Sequence, residues 1–156
     1  MTAIDVAATA DRDRDHDPRL ARLASFYESL TPEALDRLGE LYALSARFID
    51  PFNDVTGLAP LRGVFEHMFQ SLDGPRFTVL EALAGERSGF LLWTFRFRRG
   101  AGQEQQILGM THLRFDDAGL VLLHHDHWDA AGQLYEALPL IGALMRWLRR
   151  RLSASA

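Results

Sequence analysis

The sequence contains no cysteine, which excludes disulfides, thiolate metal sites and a cysteine nucleophile. No apolar run approaches the ~20 residues needed to span a bilayer, and the N-terminus lacks the basic start and apolar core of a signal peptide. A cytoplasmic location is expected from these absences. Positive charge is in short supply: 17 Lys and Arg against 21 Asp and Glu give a formal net charge of -4 and a pI near 5.8. No broad positive field is available to a nucleic acid, which is therefore not expected as a partner. What remains is ordinary for one globular domain, with 156 residues, 47% hydrophobic and 24% charged.

Residues 1–18 are small residues followed by DRDRDHD, which has nothing to bury and reads as a disordered tail. From Arg19, Leu20, Leu23, Phe26, Tyr27 and Leu30 recur at helical spacing. Thr31-Pro32-Glu33 then supplies an N-cap, a first-turn proline and an acid. A second helix is predicted through Leu35, Leu38, Leu41 and Tyr42. Arg47 to Asp50 breaks that period and ends as a short strand at Pro51. Leu61, Val64, Phe65, Met68, Phe69 and Leu72 predict a third helix, opened by Pro60 and closed by Gly74-Pro75. Residues 76–84 and 90–99 read as strands, the latter with Trp93, Phe95 and Phe97 on one face. Those rings suit either core packing or stacking on a ligand.

Residues 105–129 predict a hairpin, since Asp116-Asp117-Ala118-Gly119 carries turn chemistry. Alternation puts Gly109, Thr111, Leu113 and Phe115 on one face, and on the return strand it groups His124, Asp126 and Trp128. An imidazole, a carboxylate and an indole on one face suggest a pocket, although a slip of one residue would turn Leu123 and His125 inward instead. His124 and Asp126 offer two metal-ligand types without a third at recognisable spacing, so no metal or other cofactor is expected. After Asp129, a possible N-cap, the segment 130–152 opens at Ala130 and closes at Leu152. Beyond Pro139 it reads as a basic amphipathic helix: Leu140, Ile141, Leu144, Met145, Trp147, Leu148 and Leu152 form one sector and Arg146, Arg149 and Arg150 the other. It suits docking on the domain, a dimer contact or weak membrane-surface binding.

The order α-α-β-α-β-β-β-β, with Leu30, Leu41-Tyr42-Ala43, Asp50-Pro51, Gly57, Arg114-Phe115-Asp116, Gly119 and Trp128 at matching spacing, resembles the ketosteroid isomerase and SnoaL-like branch of the nuclear transport factor 2 superfamily. The likeness runs from Phe26 to Trp128. It implies an α+β cone spanning residues 19–129, in which a curved antiparallel or mixed sheet wraps N-terminal helices around an apolar cavity; the C-terminal helical extension of the same domain is not shared in this form by the compared isomerases. It also implies Asp50 at the general-base position and Tyr42 on the inner side of the second helix. That family holds its oxyanion with a tyrosine and a protonated aspartic acid, where this chain has Phe26 and Thr111. Losing one such donor typically costs about a hundred- to a thousand-fold in rate, so a steroid-type isomerisation is not expected.

Asp50, Asp126 and His124 are the candidate proton-transfer groups, and Phe26, Tyr42, Phe52, Phe65, Trp93, Phe95, Thr111 and Trp128 the candidate pocket walls. For Asp50 the alternative is plain turn capping. The expected function is binding of a small apolar or ring-containing molecule, with acid–base chemistry of an isomerase, cyclase, dehydratase or epoxide hydrolase type. The alternative is a non-catalytic carrier. A homodimer through Met110, His112, Leu123 and His127 on the outer sheet face accompanies both readings.

Overall fold

In the computed structural model, which describes residues 17–133 together with Trp147 and Arg151, the first element is helix α1 (Pro18–Glu28). The Asp17 carboxylate caps it by accepting from the backbone N–H groups of Arg19 at 2.9 Å and Leu20 at 3.4 Å. The expected tail is thereby corrected at Asp17 and Pro18, which belong to the helix, while residues 1–16 lie outside the described part. Leu20, Leu23, Ala24, Phe26 and Tyr27 form its buried face. Arg19 ties it to the sheet, donating to the carbonyls of Gly85 and Glu86 at 3.0 and 2.9 Å.

The expected second helix is a 3-10 segment, Glu33–Glu40. Thr31 caps its first turn, accepting from the Ala34 N–H at 3.2 Å. Leu35, Leu38 and Leu41 recur every third residue, the period at which 3-10 side chains eclipse. Tyr42 leaves this segment altogether. It starts strand β1 (Tyr42–Ile49), five residues before Arg47, where a strand was first expected. The extended backbone lets the Tyr42 ring point to the core without help from helical spacing. β1 turns at Asp50 into a short strand not foreseen from the sequence, β2 (Asp54–Thr56), paired antiparallel with it. Helix α2 (Leu58–Ser71) follows, entered through Gly57 at φ 101°, a backbone conformation that favours glycine.

Four strands complete the sheet: β3 (Asp73–Ala84), β4 (Ser88–Arg98), β5 (Gln105–Phe115) and β6 (Val121–Trp128). The order is β2-β1-β6-β5-β4-β3, antiparallel throughout except for the parallel β1–β6 pair. This mixed, curved sheet wraps α1 and α2 as the α+β cone. The turn between β5 and β6 is held by the Asp116 carboxylate, which accepts from the Ala118 and Leu120 N–H groups at 2.9 and 2.8 Å, with Gly119 at φ 79°. After β6, Asp129 caps the short helix α3 (Ala130–Gln133), accepting from the Gly132 N–H at 2.8 Å. Of the predicted amphipathic helix only Trp147 and Arg151 are described, the guanidinium 5.1 Å from the indole centroid. Its remaining residues lie outside the described part. No helix among the described residues is long and apolar enough to cross a membrane.

Candidate functional site

The β5–β6 register sets Gly109 opposite Trp128, Thr111 opposite Asp126 and Leu113 opposite His124. Thr111 and His124 are buried, so His124, Asp126 and Trp128 take the inner face, and His125 and His127 the outer. β4 pairs next to β5, setting Trp93 opposite Gly109. A Cβ at position 109 would overlap the Trp93 ring, so glycine makes room there for the indole.

These placements produce a continuous chain of hydrogen bonds through the core. Trp93 Nε1–H can only donate, and it does so to Thr111 Oγ1 at 2.8 Å. The threonine hydroxyl directs its own proton to Asp126 Oδ1 at 2.5 Å. The same oxygen lies 2.9 Å from His124 Nε2, so in the neutral imidazole Nε2 carries the proton. Nδ1 is then an acceptor, served by the Tyr42 hydroxyl at 2.9 Å. Tyr42 in turn accepts from Tyr27, whose hydroxyl is 2.5 Å away and 3.5 Å from His124 Nδ1. Burial first, with the Asp126 charge adding to it, holds both tyrosine hydroxyls above their ordinary pKa. They stay protonated donors. Phe48 stacks on the imidazole at 4.7 Å between centroids. Every ring and carboxylate in the chain is thus fixed by a partner, and the two bonds to Asp126 fall on Oδ1.

Above this chain opens a cavity of about 230 Å³. Its wall includes Phe77, Trp93, Phe95, Phe97 and Ile107 from the sheet, Phe65, Met68 and Leu72 from α2 and the segment after it, and Trp128 and Phe52 near Asp126 and Asp50. Phe77 stacks on Phe95 at 4.4 Å and meets Trp93 edge-on at 5.6 Å; Phe52 meets Trp128 edge-on, also at 5.6 Å. Among the described residues the polar groups on the wall are few: Asp50, Asn53, His67, Ser71, Arg99 and Asp126. The volume lies below the ~300–1,000 Å³ usual for drug-sized ligands.

Among the expected wall residues, Phe52, Phe65, Trp93, Phe95 and Trp128 line this cavity, whereas Phe26, Tyr42 and Thr111 do not. Phe26 packs in the core, edge-on to Tyr27 at 5.8 Å. Tyr42 lies beneath the cavity as a partner of His124, and Thr111 as a partner of Asp126. His124 is likewise one layer down, bordering with Tyr27, Thr111 and Asp126 a separate void of about 10 Å³. Asp50 reaches the wall, but its Oδ1 accepts from the N–H groups of Phe52 and Asn53 at 2.7 and 2.6 Å, and Asn53 Nδ2 adds bonds of 3.0 and 2.9 Å to the two oxygens. Turn capping is what its carboxylate does. Sequence reasoning missed Tyr27 as a network member, because its helical spacing fits a core position equally well. It also missed Phe77, whose alternation with Val79 was the available signal. No cluster of three or more His, Asp or Glu side chains suited to a metal ion occurs among the described residues.

The family model described as SnoaL-like domain matches residues 23–124. The chain belongs to the SnoaL-like domain family. The matched span of the SnoaL-like domain ends at His124, so Asp126 and Trp128 lie just beyond it. No curated protein matches the sequence. Solved structures share the fold at low identity. A hypothetical protein with a ketosteroid isomerase-like fold from Catenulispora acidiphila DSM 44928, in complex with trimethylamine, is 17% identical with a TM-score of 0.65, over 75% of this chain and 89% of that one. An LEH-like epoxide hydrolase of M. tuberculosis is 15% identical with a TM-score of 0.63, over 88% and 95%. An NTF2-like protein of unknown function from Burkholderia pseudomallei K96243 is 15% identical with a TM-score of 0.64, over 87% and 98%.

Proposed function

We propose that this SnoaL-like domain binds a small, largely apolar or ring-containing molecule in its cavity and that Asp126 moves a proton to or from it. The observation that carries this reading is the division of labour within one carboxylate. Oδ1 is held by Thr111 and His124, and Oδ2, which has no partner among the described residues, is left for a ligand. A base fixed in orientation by two donors beside an aromatic-walled cavity has the geometry that general acid–base catalysis needs. His124 is the positioning residue: its Nε2–H steadies Asp126, and the Tyr42 hydroxyl keeps Nδ1 from taking that proton instead. Asp50 holds the turn that carries Phe52 and contributes negative charge to the wall. Isomerisation, cyclisation, dehydration and epoxide opening all begin with such a proton transfer.

One observation favours a second reading, a carrier that binds without chemistry. The Thr111 hydroxyl donates to Asp126 and Phe26 is in the core, so neither position supplies a donor for a developing oxyanion. Mass-spectrometric identification of the molecule retained through gentle purification, followed by incubation with fresh protein, separates the two. Conversion by the parent protein and its loss in Asp126→Asn support the enzyme. A retained molecule that is never altered refutes it and leaves the carrier. Either form is proposed to be a cytoplasmic homodimer through the outer face, where Phe90, Leu108 and Met110 are exposed. Light scattering on a size-exclusion column tests that assembly.

A further inference from the structure

The cavity's walls and its charge ask for different things unless the ligand satisfies both. Phe52, Phe77, Trp93, Phe95 and Trp128 present rings, whose faces carry negative quadrupole potential. Two acids on the wall, Asp50 and Asp126, add negative charge. The β1–β6 pairing brings these acids close, since Ile49 lies opposite His125. The Asp50 charge is met by N–H donors of its own turn and that of Asp126 by Thr111 and His124. None of these donors, nor the Asn53 side-chain amide that also serves Asp50, is a guanidinium or an ammonium. Among the described residues the formal cation on the wall is Arg99, just after β4, where its guanidinium lies 5.7 Å from the Phe97 centroid. A neutral hydrocarbon would fill the space and ignore the acids. An anion would meet two like charges.

We propose that the preferred ligand of this cavity is a small organic cation, a tertiary or quaternary amine with compact apolar substituents, seated between the Trp93 and Trp128 indoles with its charge toward Asp126 Oδ2. The proposal rests on the reading that the cavity binds a small molecule, and narrows it to a chemical class. Aromatic faces attract such a cation and a neighbouring carboxylate pairs with it, while its alkyl groups bury against Phe77 and Phe95. The cavity volume of about 230 Å³ suits a compact head rather than a polycyclic skeleton.

The test compares two water-soluble molecules of the same shape, choline and its neutral carbon isostere 3,3-dimethylbutan-1-ol, by calorimetric titration of the full chain. Choline is expected to bind roughly tenfold or more tightly. Asp126→Asn should bring the two affinities together. Trp128→Leu removes a half-buried wall residue outside the hydrogen-bond chain and should weaken choline more than the alcohol, which keeps the test decisive if Asp126→Asn fails to fold. Equal affinities, or a preference for the alcohol, overturn the cationic class but leave the binding cavity standing. Binding of neither molecule overturns the cationic class alone, provided that an uncharged ring compound such as indole still binds. If nothing binds, both readings fall.

Discussion

The Tyr27–Tyr42–His124 end of the chain makes a quantitative prediction about stability. Tyr42 is 1% exposed and its hydroxyl serves both Tyr27 and His124. Tyr42→Phe strands those two partners, and each orphaned buried group costs about 1–3 kcal/mol. The Tyr27 hydroxyl already lies 3.5 Å from His124 Nδ1, so a small rotation lets it take over the vacant bond. The single change is therefore expected near the low end, about 1 kcal/mol. Tyr27→Phe leaves the Tyr42–His124 bond intact and is expected to cost about 0.5–1.5 kcal/mol. The double variant abolishes the rescue and buries His124 Nδ1 without a donor. Its cost should exceed the sum of the singles by ~1 kcal/mol or more. Urea unfolding with a common m-value measures all three differences. A double variant that equals or undercuts the sum refutes the idea of a coupled chain with Tyr27 as a substitute donor.

Gly109→Ala forces the Trp93 ring aside, because the added methyl would occupy its space. It should destabilise by about 1–3 kcal/mol, shift the tryptophan emission and reduce ligand binding; an unchanged emission spectrum contradicts it. On the outer face, burial pushes the His125 imidazole below the ordinary histidine pKa, with His127, His112 and Arg47 adding to the effect and Asp126 opposing it. A group whose folded pKa is lowered in this way takes up its proton more readily when unfolded. The associated stability is complete above the unfolded value of about 6.5 and declines as pH falls toward the lowered folded value. Urea midpoints between about pH 7.5 and 5.5 should fall for the parent and fall less for His125→Gln; parallel slopes for both would refute the assignment.

The fold was legible where one period dominated. α1 and α2 follow from three- and four-residue spacing, and the β5–β6 hairpin from Asp116 to Gly119, because turn chemistry and alternation agree there. The stretch from Leu35 to Tyr42 misled. Leu35, Leu38 and Leu41 continue a helix-like count, but the chain had already tightened to three residues per turn and then extended. β2 was invisible because a three-residue edge strand made of Asp54, Val55 and Thr56 has no periodicity to read. Within the site, alternation put His124, Asp126 and Trp128 on one face. It could not say that His124 lies a layer deeper than Asp126, since depth depends on which neighbours reach across from α1 and β1. Tyr27 and Tyr42 do so from positions remote in sequence.

The turn at Asp116–Gly119 has a reach beyond its own loop. Side chains alternate along β5 and, from Leu123 onward, along β6, and the bulge beside Arg114 and Phe115 shares with the two carboxylate-to-backbone bonds of Asp116 and the left-handed Gly119 the setting of that phase. Shortening or lengthening that loop by one residue would not blur the cavity gradually. A one-residue slip of β6 would present His125 and His127 where Asp126 and Trp128 now stand if the loop lengthened, and His127 and Asp129 if it shortened, in either case replacing the carboxylate at the Asp126 position with an imidazole. Indels at this outlying loop are therefore an abrupt route by which a chain of this shape could acquire different chemistry.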